Sequence, residues 1–385
     1  LLGVFKHGQL DTRKLTLREI RSLTAIRGVA ALYVMCHHIV LFMFLPSQMT
    51  RPIQRLYMGY SGVDIFFVLS GFILTTVYLD LTPGGLKDFA LRRILRIYPL
   101  HLTVLAAMAG MTYFSIIWPA NTADWRTLPE VALLVHPFFG ITHGFWNGVT
   151  WSAGVEMSCY LLFPFALFLL RRLPIVAVAL LVLAAGYTEW RFQVIHPDQW
   201  TGWLCVQRGW HGFALGMALG LLAVRVTVPR VLVIIVELAA VAVLARSILR
   251  VSLPPVPLAA GALIWMLGEN TGPIARILST GLFFFLGRIS FSIYLIHYPL
   301  IDVFARLWPV GWNPQLNAMF GMREACYLAV LIGLSTLTNR WIEQPAQRFL
   351  RGKSIGKKRA VAGGEAQGPS GCKPEFSILT PDRIQ

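Results

Sequence analysis

The stretch LTAIRGVAALYVMCHHIVLFMFL, residues 23–45, decides the fold class. It is apolar for the length a bilayer-crossing helix needs, about 20 residues, yet carries an arginine and two adjacent histidines. A buried helix of a soluble core rarely runs so long. An ionisable group placed inside a membrane span is costly and marks a functional candidate by default.

Similar blocks recur along the chain. Apolar stretches at Tyr60–Leu81, Ile97–Trp118, Val155–Leu170, Pro174–Trp190, Gly209–Val224, Val231–Leu249, Pro255–Leu267, Gly281–Ile301 and Ala325–Asn339 complete a set of about ten expected spans. Pro129–Ile141 is apolar but short, and reads as a re-entrant or interfacial segment. Of the 385 residues, 56% are hydrophobic and 14% charged. Soluble domains carry about 25% charged residues. The expectation is an all-α polytopic membrane bundle.

The formal net charge of +16 invites a nucleic-acid reading. The Arg and Lys residues sit at the ends of apolar blocks, however, where they orient spans, and not on a basic face interleaved with aromatics. No nucleic-acid partner is expected; the partner is the lipid bilayer. Placing Lys87, Arg92, Arg93, Arg96, Arg171, Arg172, Arg225, Arg230 and Arg276 on the cytoplasmic side puts both termini inside. Residues 1–22 then form a basic cytoplasmic segment without a secretory signal, and insertion is expected to use the first span itself. Residues 23–349 form the membrane domain. Residues 350–385, rich in Lys, Gly and Ser, are expected to be disordered. The five cysteines form no CxxC pair and no Cys/His ligand spacing, so neither a disulfide framework nor a metal site is indicated.

Within the first span, eleven steps of about 100° bring His38 back to nearly the face of Arg27, roughly 16 Å further along the axis. His37 points about 100° away and is the expected bystander. The second span opens GVDIFFVLSGFIL from Gly62, placing Asp64 near its outer boundary, where it orients a histidine or an arginine or simply complements the helix dipole. Ser70 and Gly71 suit close helix packing. The run RRILRIYP from Arg92 places Arg92, Arg93 and Arg96 at the mouth of the third span. Planar guanidinium groups suit phosphate, although charge bias alone also accounts for them. Trp151, Ser152 and Glu156 open another span at a depth near that of His38. The segment GRISFSIYLIH from Gly287 carries Tyr294 and His297, and Glu343 in the I-E-x-P ending pairs by default with a neighbouring arginine. Histidines and carboxylates toward one side, with arginines toward the other, point to a reaction site. A transporter or flippase with a polar pathway is the alternative from another class.

Taken in order from Leu23 to Arg348, these motifs resemble the membrane acyltransferase-3 family, bacterial O-acyltransferases of polysaccharides, Nod factors and some antibiotics. The resemblance implies an acyl-CoA donor, acetyl-CoA first among them, reaching the enzyme from the cytoplasm. It implies transfer to a hydroxyl of a carbohydrate or lipid-linked glycan acceptor, a bacterial inner-membrane location, and activity dependent on Arg27 and His38. Some members carry a fused C-terminal hydrolase-like domain; none is expected in the stretch read here. Two positions depart from the common pattern, Met157 in place of a second acid and His101 in place of a Tyr. On this reading His38 is the general base, with Asp64 or Glu156 holding its tautomer. Arg27, Arg92, Arg93 and Arg96 hold the donor phosphates. Tyr294 and His297, with Trp151 and Ser152, face the acceptor.

Overall fold

The computed structural model describes residues 20–43, 50–116, 124–139, 146–196, 202–250, 255–308 and 317–348. The basic segment up to residue 19 and the tail from residue 349 lie outside the described residues, as do the expected span ends at Leu45 and Trp118.

Among the described residues every regular element is a helix. In chain order they are α1 (Arg21–Met43), α2 (Arg51–Tyr57), α3 (Gly62–Val77), α4 (Leu86–Tyr113), α5 (Leu128–Ala132), α6 (Thr150–Leu170), α7 (Ile175–Ile195), α8 (Trp203–Ala223), α9 (Arg230–Arg250), α10 (Val256–Glu269), α11 (Pro273–Leu278), α12 (Gly281–Arg288), α13 (Ser290–Leu307) and α14 (Asn317–Thr338). Large apolar side chains such as Leu161, Phe165, Leu180, Leu183 and Val231 point outward. Such a surface is tolerated where the solvent is lipid.

Within the described residues each of the ten expected apolar stretches falls mainly on helix, but the count of spans is lower. Among the described residues, seven helices are long and apolar enough to cross a bilayer, or eight if α12 and α13 are taken as one bent span. Two physical reasons account for the difference. Helix α10 has 14 residues, about 21 Å of helix against a hydrocarbon core of about 30 Å. Helix α8 is long, but Gln207, Arg208, His211 and four glycines dilute its apolar content.

Those glycines let α8 press against α3. A Cβ on Gly216 would sit 2.9 Å from Phe72 N, and one on Gly71 2.9 Å from Met217 N, so neither position has room for a side chain. Small residues are the means by which membrane helices approach closely. Gly71 thus packs as expected, whereas Ser70 turns its hydroxyl to Glu156.

The expected ninth span is not one helix. It bends by 64° between α12 and α13, where Ile289 leaves helical geometry at φ −95°, ψ 6°. Side chains replace the lost ladder bonds: Ser290 Oγ donates to Gly287 O at 2.8 Å, and Asn339 Nδ2 donates to Arg288 O at 3.0 Å. Kinks of this size need such substitutes. Asn339 begins a π-helical turn, Asn339–Glu343, that ends α14. Wider turns of this kind re-aim side chains, and here Glu343 turns into the bundle, where it is 2% exposed.

The short segment at Pro129 forms only α5 and a 3₁₀ turn, His136–Phe139, and its last residues, 140–141, lie outside the described residues. His101 Nε2 donates to Val131 O at 2.9 Å, and Tyr98 OH donates to Leu133 O at 3.0 Å, tying the segment to α4. His101 at the departing position is therefore an anchor for this segment.

Candidate active site

Two polar centres lie along α1. At its N-terminal end, Arg27, Ser70, Arg93, Arg96 and Tyr160 line a cavity of about 40 Å³ with Phe66, Leu69, Ile73 and Leu74. Space of that size holds about three waters. Glu156 sits beside it, accepting from Ser70 Oγ and Tyr160 OH. Arg93 donates to Tyr78 OH at 3.3 Å and lies over the Tyr160 ring at 5.5 Å. Arg96 pairs with Glu343 at 3.2 Å, and Glu343 also accepts from Ser292. The Nε groups of Arg27 and Arg93 are buried without a protein partner. Three guanidinium groups face two carboxylates here, an excess of one positive charge. Buried donors of that kind call for an anion. Arg92 does not line the cavity.

Further along α1 is the histidine centre. Eleven residue steps of unbroken helix separate Arg27 from His38, roughly 16 Å. His38 Nδ1 lies 3.0 Å from Val34 O and 3.2 Å from His297 Nε2. Phe42 and Tyr298 pack around its ring. The neighbouring His37 is buried, and its Nδ1 donates to Tyr57 O at 2.6 Å. His37 therefore ties α1 to α2.

Neither carboxylate expected to hold the tautomer of His38 does so. Asp64 is taken by Arg208 through two bonds, Nε to Oδ1 at 2.7 Å and Nη2 to Oδ2 at 2.9 Å, with both side chains 1% exposed. Arg208 also donates to Tyr60 O at 3.2 Å. Glu156 lies at the arginine centre and not at the depth of His38, because it sits a full turn further along α6 than Ser152. Ser152 and Tyr294 are hydrogen-bonded at 2.7 Å, and Trp151 packs against Phe67. His297 is fully buried against His38, and its Nδ1 lies 3.1 Å from Ile293 O. All four of these residues are buried, and none lines the arginine cavity.

A family profile described as an acyltransferase domain matches residues 20–340. The chain belongs to the acyltransferase-3 family. Among the relatives of this acyltransferase, "Acyltransferase MdmB" of Streptomyces mycarofaciens is 29% identical over 380 residues, covering 89% of this chain and 94% of its own. "Putative membrane-bound transacylase BcsY" of Komagataeibacter xylinus is 29% identical over 269 residues, 64% of this chain and 67% of its own. No solved structure matches the chain.

The enzyme is thus a multi-pass acyltransferase of a bacterial inner membrane, moving groups other than aminoacyl groups. Among the described residues no cluster of three metal-ligating side chains occurs. Sequence reasoning missed the roles of several buried polar residues, in the site and beyond it. Tyr160 and Ser70 position Glu156, and their signal was polarity inside apolar helix. Arg208 fell one residue before the expected span at Gly209. Glu189 on α7, fully buried with Gln193 donating to it at 3.0 Å, was hidden near a span end.

Proposed function

We infer that this acyltransferase moves an acyl group, acetyl in the first instance, from acyl-CoA to a hydroxyl of a carbohydrate or lipid-linked glycan, with His38 as general base. One observation carries the reading: a single continuous helix holds Arg27, at the arginine-lined cavity, and an imidazole roughly 16 Å apart on one face. A CoA donor has that form, with phosphates at one end of an extended arm and a thioester at the other. Arg27, Arg93 and Arg96 hold the phosphates from the cytoplasmic side, the side the positive-inside bias favours for the basic residues at the span ends. The carbonyl carbon lies near His38, which takes the proton of the attacking hydroxyl. The arginine cavity has room for about three waters in its present form, so donor entry requires the side chains lining it to move apart.

Purified protein in detergent, given radiolabelled acetyl-CoA, tests this. Turnover of the thioester, even to water, that vanishes in His38→Ala supports the reading. Absence of both turnover and CoA binding in folded protein would overturn it in favour of a transporter.

A further inference from the structure

His38 and His297 meet between α1 and α13, and the carbonyls beside them fix where their hydrogens lie. His38 Nδ1 faces Val34 O at 3.0 Å, and His297 Nδ1 faces Ile293 O at 3.1 Å. A carbonyl oxygen only accepts, so each Nδ1 carries a hydrogen. A neutral His297 then presents a lone pair at Nε2, 3.2 Å from His38 Nδ1. The His38 N–H is shared between Val34 O and His297 Nε2. The opposite assignment for His297 would set two N–H donors against each other and leave Ile293 O facing a lone pair. A second proton on His297 would create the same opposition and an ion at a fully buried position. Tyr327 OH donates to His297 O at 2.9 Å and holds this part of α13 in place. The consequence falls on the other nitrogen of His38, Nε2, which is left as the basic one.

We propose that His297 is a positioning residue for acyl transfer, holding His38 in the tautomer whose Nε2 receives the acceptor's proton. The inference rests on the reading of His38 as general base. It assigns to a second histidine the task that a carboxylate performs in a catalytic triad. The carboxylates of Asp64 and Glu156 are committed to Arg208 and to Ser70 with Tyr160. In the step itself, the acceptor oxygen bonds to the thioester carbonyl carbon as its proton passes to His38 Nε2. The C–S bond then breaks, and the same proton passes from Nε2 to sulfur, releasing the CoA thiol. His297 gains and loses no proton; it accepts a stronger hydrogen bond while His38 is an imidazolium.

Thioester turnover by His297→Leu and His297→Gln, alongside wild type and His38→Ala, tests the assignment. For His297→Leu the expected result is a kcat lower by about 10²- to 10³-fold with KM for acetyl-CoA unchanged. His297→Gln, whose amide oxygen accepts a hydrogen bond, should recover at least tenfold of that loss. Wild-type kcat in His297→Leu overturns the proposal, as does a Gln variant that binds CoA normally yet is no better than Leu. Nitrogen-15 spectra of labelled histidine provide an arm independent of turnover. A protonated Nδ1 and an unprotonated Nε2 on His38 are expected, and the reverse would overturn the assignment. A wild type without turnover would instead count against the function proposed above, leaving the spectra to decide the histidine pair.

Discussion

Arg96 on α4 and Glu343 in the π-helical turn after α14 meet at 3.2 Å, joining positions 247 residues apart. Their exposures differ, 21% for the arginine side chain and 1% for the glutamate. The cost of breaking the pair should therefore be lopsided. Arg96→Ala strands a buried carboxylate and is expected to cost about 2–3 kcal/mol of stability. Glu343→Gln keeps an oxygen for Ser292 and should cost about 1 kcal/mol. Thermal unfolding in detergent of both variants and of the double variant would show the asymmetry, with a double effect below the sum.

The Asp64–Arg208 pair is buried on both sides and is a structural lock between α3 and α8. Asp64→Ala should destabilise by about 3–5 kcal/mol. The expected readout is a loss of monodisperse protein on size-exclusion chromatography. A well-folded Asp64→Ala enzyme with reduced kcat alone would contradict this.

Adjacent histidines should behave differently. His38→Ala is expected to abolish thioester turnover while the protein stays folded. His37→Ala removes the bond to Tyr57 O, so it should lower the unfolding temperature and leave kcat within about tenfold, the range of a lost positional contact and not of a lost base.

Of the basic run on α4, Arg93 lines the cavity and Arg92 does not. Arg93→Ala should raise KM for acetyl-CoA by about 10- to 100-fold, the worth of one charge-assisted hydrogen bond to phosphate. Arg92→Ala should leave it within about twofold, as expected of an arginine serving only orientation. Initial rates across a donor titration separate the two.

Gly28 adjoins Arg27 and packs on α12. A Cβ there would come 2.6 Å from both Gly287 N and Leu286 C, backbone atoms with little freedom to yield. Gly28→Ala should cost about 1–3 kcal/mol of stability through overpacking. Melting temperature measured against a Gly110→Ala control, where nothing lies within 4 Å, would isolate the contact.

The apolar blocks were legible because lipid forces each crossing segment to be long and continuous. The convergence of Arg27, Arg93 and Arg96 was legible too, since mouth-of-span arginines near one another in topology share a depth. What the chain order concealed was partner choice across helices. Whether Asp64 turns to a histidine or to Arg208 depends on the rotation of α3 against α8, which glycine contacts set. Glu237 shows the same limit: in the middle of an apolar run, it accepts the backbone N–H groups of Ile274 at 2.9 Å and Ala275 at 3.3 Å, capping another helix. The bend at Ile289 was hidden because its supports, Ser290 and Asn339, are ordinary polar residues until their acceptors are known.

Helix α1 runs without a break from Arg21 to Met43, so it acts as a ruler whose graduations are helical turns. Arm length in the donor is thereby gauged against peptide geometry and not against a flexible loop. Adding four residues between Arg27 and His38 would lengthen the gauge by about 6 Å and swing the imidazole by only about 40°. Adding one would swing it by about 100°. On the proposed reading, the register of this one helix sets which carriers the enzyme can use before any acceptor has arrived.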